Sequence, residues 1–396
     1  MKLGVFLGNV NERTGGEFSF QDSIVSALEQ VEGRHDIFVF HYGKGGGARS
    51  VGKVTYVPLL SNVKPIWLFR RGLDVVFGRK SKSSLLHLAT DDYGIDLMWF
   101  PSLHFVPLEV PYICTVLDLE HRVHPFFPEV GVQETWQWRE QFYASMIPRA
   151  AFVITGTEAG KHQILDFYKP CADRVRVIPL PVSTFALAAK EAHPPDLEQH
   201  GIRKPYLFYP AQFWPHKNHV VLLRALKLLR ERNSLDLEVV FCGSDKGNLD
   251  HVKEVSRELG VEESVHFLGF VSRDELCALY SKAFALVYPS FFGPDNLPPL
   301  EAFASGCPVI CSREAGSQEQ LGDSAILVDA CQEQEIASAV LHLWKEPEIR
   351  QSLIENGNKL ALRWTPFDYV ERILGLCDEF ELFRRCWSRT DKYVPR

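Results

Sequence analysis

The sequence predicts an α/β protein built from two Rossmann-like domains that face each other across a cleft. Three observations favour this class. The chain has 396 residues, which is too long for one ordinary hydrophobic core and suits two domains of about 150–200 residues. Short apolar runs typical of buried strands alternate with segments whose apolar residues recur at helical spacing. A polar stretch with two consecutive prolines, KEAHPPDLEQHGIRKP, separates the halves at residues 190–205.

Each half contains its own series of strand-like runs. The first half offers KLGVFLG, HDIFVFHY, KVTYVPL, IDLMWF, YICTVLD and AAFVITG, and the second offers PYLFYPA, LEVVFCG, VHFLGF, AFALVYPS, PVICS and AILVD. Six strand and helix units of this kind make one complete Rossmann-like domain. We therefore predict an N-terminal domain at residues 1–184, a linker at 185–204 and a C-terminal domain at 205–365. The helical, aromatic-rich segment 366–396 is expected to pack back on the body.

Composition favours a folded cytoplasmic protein that does not bind nucleic acid. The formal net charge is −7, so no strong positive field favours nucleic acid. Nine cysteines, several of them inside apolar runs and none in a C-x-x-C pair, are typical of free thiols in a reducing compartment. They predict no metal site. No apolar stretch reaches the roughly 18 residues of a membrane span, and the apolar start of the chain lacks a small-residue cleavage site.

One segment leaves a membrane contact open. Residues 64–82, KPIWLFRRGLDVVFGRKSK, are basic and aromatic, and such a surface can touch anionic headgroups at the inner face of the membrane. The alternative, which we favour, is a helix packed on its own sheet with a charged outer face.

The loops that follow the strands are where chemistry is expected, because ligands of open α/β sheets bind at the carboxyl ends of the strands. In YPSFFGPDNLPPLEAFASGCPVI a strand ends before a loop and a proline-initiated helix. The amides of Asn296 and Leu297 at that helix start suit a diphosphate. Glu301 either stabilises the helix dipole or accepts hydrogen bonds from ribose hydroxyls.

Lys217 is the second candidate in this half. It stands in YPAQFWPHKNH near a helix start, where the dipole disfavours a cation unless an anion is bound. It is either a solvated surface lysine or the group that neutralises a diphosphate.

The first half contributes fewer signals. Gly15 and Gly16 follow the first strand, where glycines let the backbone approach a ligand. Asp118 and His121, in TVLDLEHRVHPFFP, are candidates for positioning an acceptor or assisting proton transfer. The chain has no G-x-G-x-x-G, no P-loop motif and no D-x-D, which weighs against dinucleotide oxidoreductases, P-loop enzymes and a metal-held diphosphate.

These motifs together resemble glycosyltransferase family four. YPAQFWPHKNH, CGSDKGN, FLGFVSRDEL, YPSFFGPDNLPPLEAFASGCPVI and AGSQEQLGDSAILVD look like that family's successive donor-site signatures, and TGGE and TVLDLEHR fit more loosely. The resemblance implies the GT-B fold and metal-independent transfer, without a cofactor, that retains the anomeric configuration. It also implies a uridine- or guanosine-diphosphate sugar donor and a saccharide or lipid-linked acceptor.

The resemblance also assigns roles to individual residues. Lys217 matches the lysine that holds the diphosphate, Glu301 the second glutamate of a pair, which meets the ribose, and Gly269 and Phe270 the strand end near the base. With Lys217, Glu301, Asp118 and His121 as catalytic candidates, the expected donor-binding residues are Gly15, Gly16, Gln212, His216, Gly243, Gly269, Phe270, Asp295, Asn296 and Leu297.

Two positions depart from the family's pattern. Gly293 replaces the first glutamate of the pair, and Gln212 replaces the arginine that accompanies the lysine. Contact with the sugar would then pass to Asn296, Asp295 or backbone amides. The expected function is transfer of a mannose- or glucose-type hexose in polysaccharide or glycoconjugate biosynthesis. A sugar-nucleotide epimerase, a phosphorylase and a catalytically inactive nucleotide-sugar-binding protein stay open as alternatives.

Overall fold

The computed structural model describes residues 1–8, 15–43, 47–60, 85–132, 134–188 and 197–388. The basic segment 64–82 and part of the expected linker lie outside these ranges. The described residues form two sheets of mainly parallel strands with helices on both faces. The predicted fold class is confirmed.

The first sheet has eight strands in the order β3-β4-β2-β1-β5-β6-β7-β8, and only the β3–β4 pair at its edge is antiparallel. Strands β5, β6 and β7 are buried along their whole length, which explains why their sequences are continuously apolar. The strands are β1 (Lys2–Phe6), β2 (Asp36–His41), β3 (Arg49–Val51), β4 (Val54–Pro58), β5 (Leu97–Phe100), β6 (Tyr112–Thr115), β7 (Phe152–Thr155) and β8 (Val175–Val177).

Helices cover both faces of this sheet, and two short ones lie beyond its carboxyl edge. The first helix follows β1 directly after Gly15, whose φ of 70° is a conformation that glycine adopts without strain. The helices are α1 (Gly16–Leu28), α2 (Leu85–Tyr93), α3 (Glu120–Val123), α4 (Pro128–Gly131), α5 (Thr135–Met146) and α6 (Glu158–Tyr168). Helix α7 (Thr184–Ala188) follows β8 and packs against the core of the second domain.

The second sheet has six parallel strands in the order β11-β10-β9-β12-β13-β14. The order reverses between β9 and β12, so the loops after these two strands open into one crevice. The strands are β9 (Tyr206–Pro210), β10 (Glu238–Cys242), β11 (Val265–Phe267), β12 (Ala285–Tyr288), β13 (Val309–Ser312) and β14 (Ala325–Val328). The helices are α8 (His219–Asn233), α9 (Leu249–Glu258), α10 (Arg273–Lys282), α11 (Leu297–Ala304), α12 (Ser317–Leu321), α13 (Glu333–Lys345) and α14 (Pro347–Ala361).

The last helix, α15 (Pro366–Arg384), returns to the first domain and packs against α1. It begins with a capping box between Thr365 and Asp368, a motif that satisfies two otherwise unpaired amides. Tyr369 is fully buried in the first domain's core, edge-on to Phe20. No helix in the described part of the chain combines the length and apolarity that a membrane span requires.

Candidate active site

A cavity of about 1030 Å³ lies between the carboxyl ends of the two sheets. Loops after β1 and β6 line it from the first domain, and loops after β9, β10, β11 and β12 line it from the second. All the site residues expected from the sequence line this cavity except His121. The volume is within the range of small-molecule sites.

Lys217 stands in the wall of the cavity without a carboxylate partner. It ends a 3₁₀ turn (Pro215–Lys217), and Asn218 follows in the left-handed conformation. Its Nζ donates to the Tyr288 hydroxyl at 2.9 Å, and this hydroxyl donates to Asn296 Oδ1 at 3.1 Å. No ion pair within the described ranges involves Lys217. Its positive charge is therefore available to an anionic ligand.

Asn296 also explains the glycine at position 293. The φ of Gly293 is 130°, which only glycine adopts without strain. A Cβ atom there would overlap the Asn296 side chain, whose Nδ2 donates to the Gly293 carbonyl at 3.0 Å. The space expected for the family's first glutamate is therefore occupied by Asn296 in this backbone conformation.

The amide of Asn296 is not free for a phosphate, contrary to the sequence-based expectation. It donates to Gln320 Oε1 at 3.0 Å, and Gln320 Nε2 donates back to the Asn296 carbonyl at 3.0 Å. Gln320 lies in α12, a neighbour in space that the local motif did not reveal. Asn296 still lines the cavity.

Glu301 is buried at the floor of the cavity. Its Oε1 accepts from the Ser183 hydroxyl at 2.6 Å and its Oε2 from the Tyr280 hydroxyl at 2.8 Å. Burial raises the pKa of Glu301, and the two hydrogen bonds oppose that shift. Each carboxylate oxygen keeps a second lone pair, so the group still accepts hydrogen bonds from a ligand.

Two glycines and one aromatic ring form the far end of the cavity. Gly243 has a φ of 145°, and a Cβ there would overlap the Ala211 carbonyl. Its amide donates to the Gly269 carbonyl at 2.7 Å, which joins the ends of β10 and β11. Phe270 is 56% exposed. An apolar ring at the open edge of a cleft suits stacking with a nucleobase.

Gln212 has a neutral amide side chain at the position where the resemblance implies an arginine. Its Nε2 donates to the Ser244 hydroxyl at 3.1 Å, and its Oε1 accepts from Trp214 Nε1 at 3.1 Å. Gln212 lies close to the start of α1, because its Nε2 would be 3.8 Å from a Cβ atom at position 15. Gln212 therefore adds no positive charge to the part of the cavity that Lys217 lines.

Asp118 faces the cavity from the end of β6 and forms an ion pair with Arg139 of α5. Its Oδ1 also accepts from the Glu120 amide at 3.1 Å. Burial opposes ionisation, but Arg139 and this amide outweigh it, so the pKa of Asp118 is lowered. The carboxylate is charged and held in one orientation.

His121 does not line the cleft, and we correct that expectation. Helix α3 turns its ring into the core, where it is fully buried and stacks on Tyr143 with centroids 5.4 Å apart. Its Nε2 lies 3.1 Å from the Tyr168 hydroxyl and 3.3 Å from Glu140 Oε2. Burial lowers the pKa of His121 to about 4, so its ring is a neutral structural group behind Asp118.

Two carboxyl groups that line the cavity, Glu120 and Glu129, were not among the site residues predicted from the sequence. Both side chains are buried, and with His216 they form a cluster whose ligand-type atoms lie within 4.8 Å of one another. Burial, with the nearby Asp118 and Glu129, raises the pKa of Glu120 to about 8. The only sequence signal for Glu120 was its place between Asp118 and His121, and Glu129 had none beyond the FFPE run.

Two facing Rossmann-like domains with a nucleotide-sized cavity between them define the GT-B class of glycosyltransferases. The family model of the glycosyl transferases group 1 matches residues 194–360, which contain the whole second sheet. The second domain matches the model of that glycosyltransferase family, and the described residues have the GT-B fold. The resemblance inferred from the sequence is confirmed at this level.

Individual proteins are similar to this chain in sequence or in fold. The chain is 27% identical to the O-antigen chain mannosyltransferase RfbU of Salmonella typhimurium over 320 residues, 80% of this chain and 78% of that protein. In fold it is similar to sucrose-phosphate synthase from Thermosynechococcus elongatus, with a TM-score of 0.69, 15% identity and coverage of 98% and 100%. It is also similar to Anabaena Alr3699/HepE in complex with UDP and glucose, with a TM-score of 0.65, 14% identity and coverage of 96% and 100%.

Proposed function

We propose that this protein transfers a mannose- or glucose-type hexose from a UDP- or GDP-sugar to a saccharide or lipid-linked acceptor, with retention of the anomeric configuration. The observation that carries the proposal is the Lys217 ammonium in the cavity wall, which forms no ion pair with any residue in the described ranges and is hydrogen-bonded through Tyr288 to Asn296. The similarity to an O-antigen chain mannosyltransferase and to a protein solved with UDP and glucose supports the substrate class.

The donor would lie along the second domain's half of the cavity. Phe270 would stack on the base, and Glu301 would accept from the ribose hydroxyls. The diphosphate would lie between Lys217 and the start of α1, where Gly15 provides no side-chain cap and leaves first-turn amides to an anion. Asn296 and Asp295 would contact the sugar in place of the absent glutamate.

Charge stabilisation would provide the catalysis. Negative charge grows on the nucleoside diphosphate as the glycosidic bond breaks, and Lys217 in a water-excluding cleft stabilises it more in the transition state than in the ground state. The departing phosphate would take the acceptor's proton on the same face. Asp118, fixed by Arg139, would orient the acceptor hydroxyl.

We propose that this transfer needs no metal ion and that the protein acts in the cytoplasm. In the Glu120–Glu129–His216 cluster, His216 Nδ1 lies 2.5 Å from Glu129 Oε1. These two groups therefore form a hydrogen bond with each other, and their proximity does not require a bound metal ion. Lys217 supplies the positive charge that a metal ion would otherwise give.

Incubation with UDP-glucose and GDP-mannose in the presence of oligosaccharide acceptors tests the proposal. We expect release of UDP or GDP that depends on the acceptor, an α-linked product by NMR from an α-linked donor, and full activity in EDTA. Epimerised nucleotide sugar without acceptor, or a product of inverted configuration, would contradict it.

A further inference from the structure

We propose that Glu129 is a positioning residue that couples closure of the cleft to the placement of Lys217. It belongs to α4 of the first domain, yet its carboxylate holds the loop of the second domain that carries Lys217. The proposal rests on the proposed transfer reaction, because it assigns Lys217 its task. Glu129 itself is a positioning residue that acts on Lys217 through His216.

The carboxylate binds one residue through two donors. Glu129 Oε1 accepts from the His216 amide at 3.0 Å and lies 2.5 Å from His216 Nδ1. One donor belongs to the backbone and the other to the ring, so together they fix both the Pro215–His216 peptide plane and the direction of the His216 side chain. The Glu129 side chain is 5% exposed and that of His216 11% exposed, so water does not compete for these bonds.

The opposite side of the same loop is anchored in the second domain. The His216 carbonyl accepts from the Phe291 amide at 2.9 Å, and the Lys217 carbonyl accepts from the Tyr209 hydroxyl at 2.6 Å. The loop therefore has contacts within its own domain in any arrangement of the domains. The hydrogen bonds to Glu129, in contrast, depend on the two domains being together, so they distinguish the closed cleft.

Aromatic packing across the cleft surrounds this carboxylate. Phe127 lies against Phe291 and His216, with centroids 5.8 and 6.2 Å away, and His124 lies against Phe292 at 5.8 Å. These rings exclude water from the Glu129–His216 contact, and a hydrogen bond to a charged group is stronger in such surroundings. A carboxylate moved into this position without its two donors would be strongly disfavoured. We therefore infer that both hydrogen bonds from His216 to Glu129 form together when the cleft closes.

The same stretch of the first domain carries the acceptor-side groups. Asp118 lies at the end of β6, and Glu120 Oε1 is 3.5 Å from His216 Nδ1. When α4 docks on the loop of Lys217, the same domain movement therefore positions Lys217 on the donor side and the carboxylates of Asp118 and Glu120 on the acceptor side. A donor bound in the open cleft would meet a less well placed Lys217, which limits loss of the sugar to water before an acceptor is bound.

The test compares Glu129→Ala and Glu129→Gln with Asp22→Asn. Asp22 is a matched control because its carboxylate, on α1 of the first domain, also pairs with a residue of the second domain, Arg273, at 2.8 Å, but it is 41% exposed. Turnover is measured with UDP-glucose and GDP-mannose, and affinity is measured by titration with UDP and GDP. Closure is measured by small-angle scattering with and without each diphosphate.

We expect Glu129→Ala to lower kcat about 10- to 100-fold while affinity for UDP or GDP changes less than threefold. Its diphosphate-induced compaction should be reduced. Glu129→Gln keeps an acceptor oxygen and should recover part of the rate, and Asp22→Asn should stay within twofold of the unaltered protein. Unchanged kcat and compaction in Glu129→Ala, or an equal loss in Asp22→Asn, would overturn the proposal. If the unaltered protein transfers no sugar, the proposed function fails, and the scattering measurement still decides whether Glu129 controls closure.

Discussion

The carboxyl group of Asp295, in the second domain, lies directly against the Cα atom of Gly156, at the end of β7 in the first. A Cβ atom at position 156 would overlap Asp295 Oδ2 and lie 2.6 Å from its Cγ. Asp295 Oδ2 is buried and has no hydrogen-bond partner among the described residues. The domains therefore approach each other closely at a point where only glycine leaves room.

Gly156→Ala should keep the cleft from closing. The added methyl group cannot be accommodated by a flexible chain end, because the clashing carboxyl group is itself enclosed. We expect kcat to fall at least about tenfold, as misplacement of about 1 Å at a catalytic site commonly does, with the melting temperature of each domain little changed. Turnover and small-angle scattering provide the measurement.

Gly375→Ala is the control for that substitution. Gly375 lies inside α15, and a Cβ there meets nothing within 4 Å. Alanine is favoured over glycine in a helix by up to about 1 kcal/mol, so this variant should be as active as the unaltered protein and equally or more stable. If Gly156→Ala also turned over normally, the close approach at Asp295 would not matter for catalysis.

Closure should weaken as pH rises between about 4 and 7. Burial, with Asp118 and Glu319 nearby, raises the pKa of Asp295 to about 7 in the closed form, whereas an exposed aspartate has a pKa of about 3.9. Between these values the closed form holds a proton that the open form lacks, so raising the pH favours opening, by at most about tenfold per pH unit. Scattering or interdomain energy transfer from pH 4 to 8 should show this trend.

Asp295→Asn separates this effect from other titrations. The amide stays neutral, so the variant's closure should change less over the same pH range, although Glu120 and the remaining groups still titrate. Closure of the unaltered protein that strengthens from pH 4 to 7 would contradict the assignment.

The sequence was sufficient for the fold because each strand and helix is a local pattern. Continuous apolar runs such as β5 to β7 are buried on both faces, and their alternation with helices leads to two parallel sheets. The loops after β9 and β12 were identified for the same reason, since Lys217 and Asn296 lie where such sheets bind ligands.

Contacts that depend on docking between distant elements were not predictable in this way. Glu129 meets His216 only because α4 packs on the other domain, and Gln320 binds the Asn296 amide from a separate helix. His121 was misplaced because α3 has four residues, too few for a periodic pattern to show which face is buried. Asp118, three residues earlier, precedes the helix and points the other way.

A glutamate at position 293, where the resemblance to the family implies one, should not increase the activity of this protein. Gly293→Glu places a side chain at a φ of 130° and into the space of Asn296. We expect about 1–3 kcal/mol of destabilisation from backbone strain and a loss of activity. Gly293→Ala shares the strain and part of the overlap, and it serves as the control. A Gly293→Glu variant more active than the unaltered protein would show that the loop rearranges. Thermal unfolding and turnover measure both effects.

Lys217→Ala should weaken donor binding and slow transfer even more. A hydrogen bond to a charged group contributes about 1.5–3 kcal/mol, so affinity for UDP or GDP should fall about 10- to 100-fold. The rate should fall further, because the charge on the leaving group is greatest in the transition state. Lys227→Ala, whose Nζ lies near Glu231 on the surface of α8, is the matched control. Affinity is measured by calorimetric titration and the rate by turnover. If neither the affinity nor the rate changed in Lys217→Ala, Lys217 would be a solvated surface lysine without a role in donor binding.

Glu301→Gln should weaken binding of the nucleoside diphosphate itself, because contact with ribose does not require the sugar. Both oxygens of Glu301 already accept hydrogen bonds, from Ser183 and Tyr280. The glutamine keeps one acceptor and presents an NH₂ group to one of these hydroxyls, so some loss of stability, about 1 kcal/mol, is also expected.

Tyr280→Phe separates the two effects, since it removes one of these hydrogen bonds and leaves the carboxylate in place. If Glu301 binds ribose, Glu301→Gln should lose about tenfold in affinity for UDP or GDP, and Tyr280→Phe should lose less affinity at a similar melting temperature. If affinity in the two variants followed the melting temperature alone, Glu301 would be a structural anchor for Ser183 and α10 rather than a ligand-binding group.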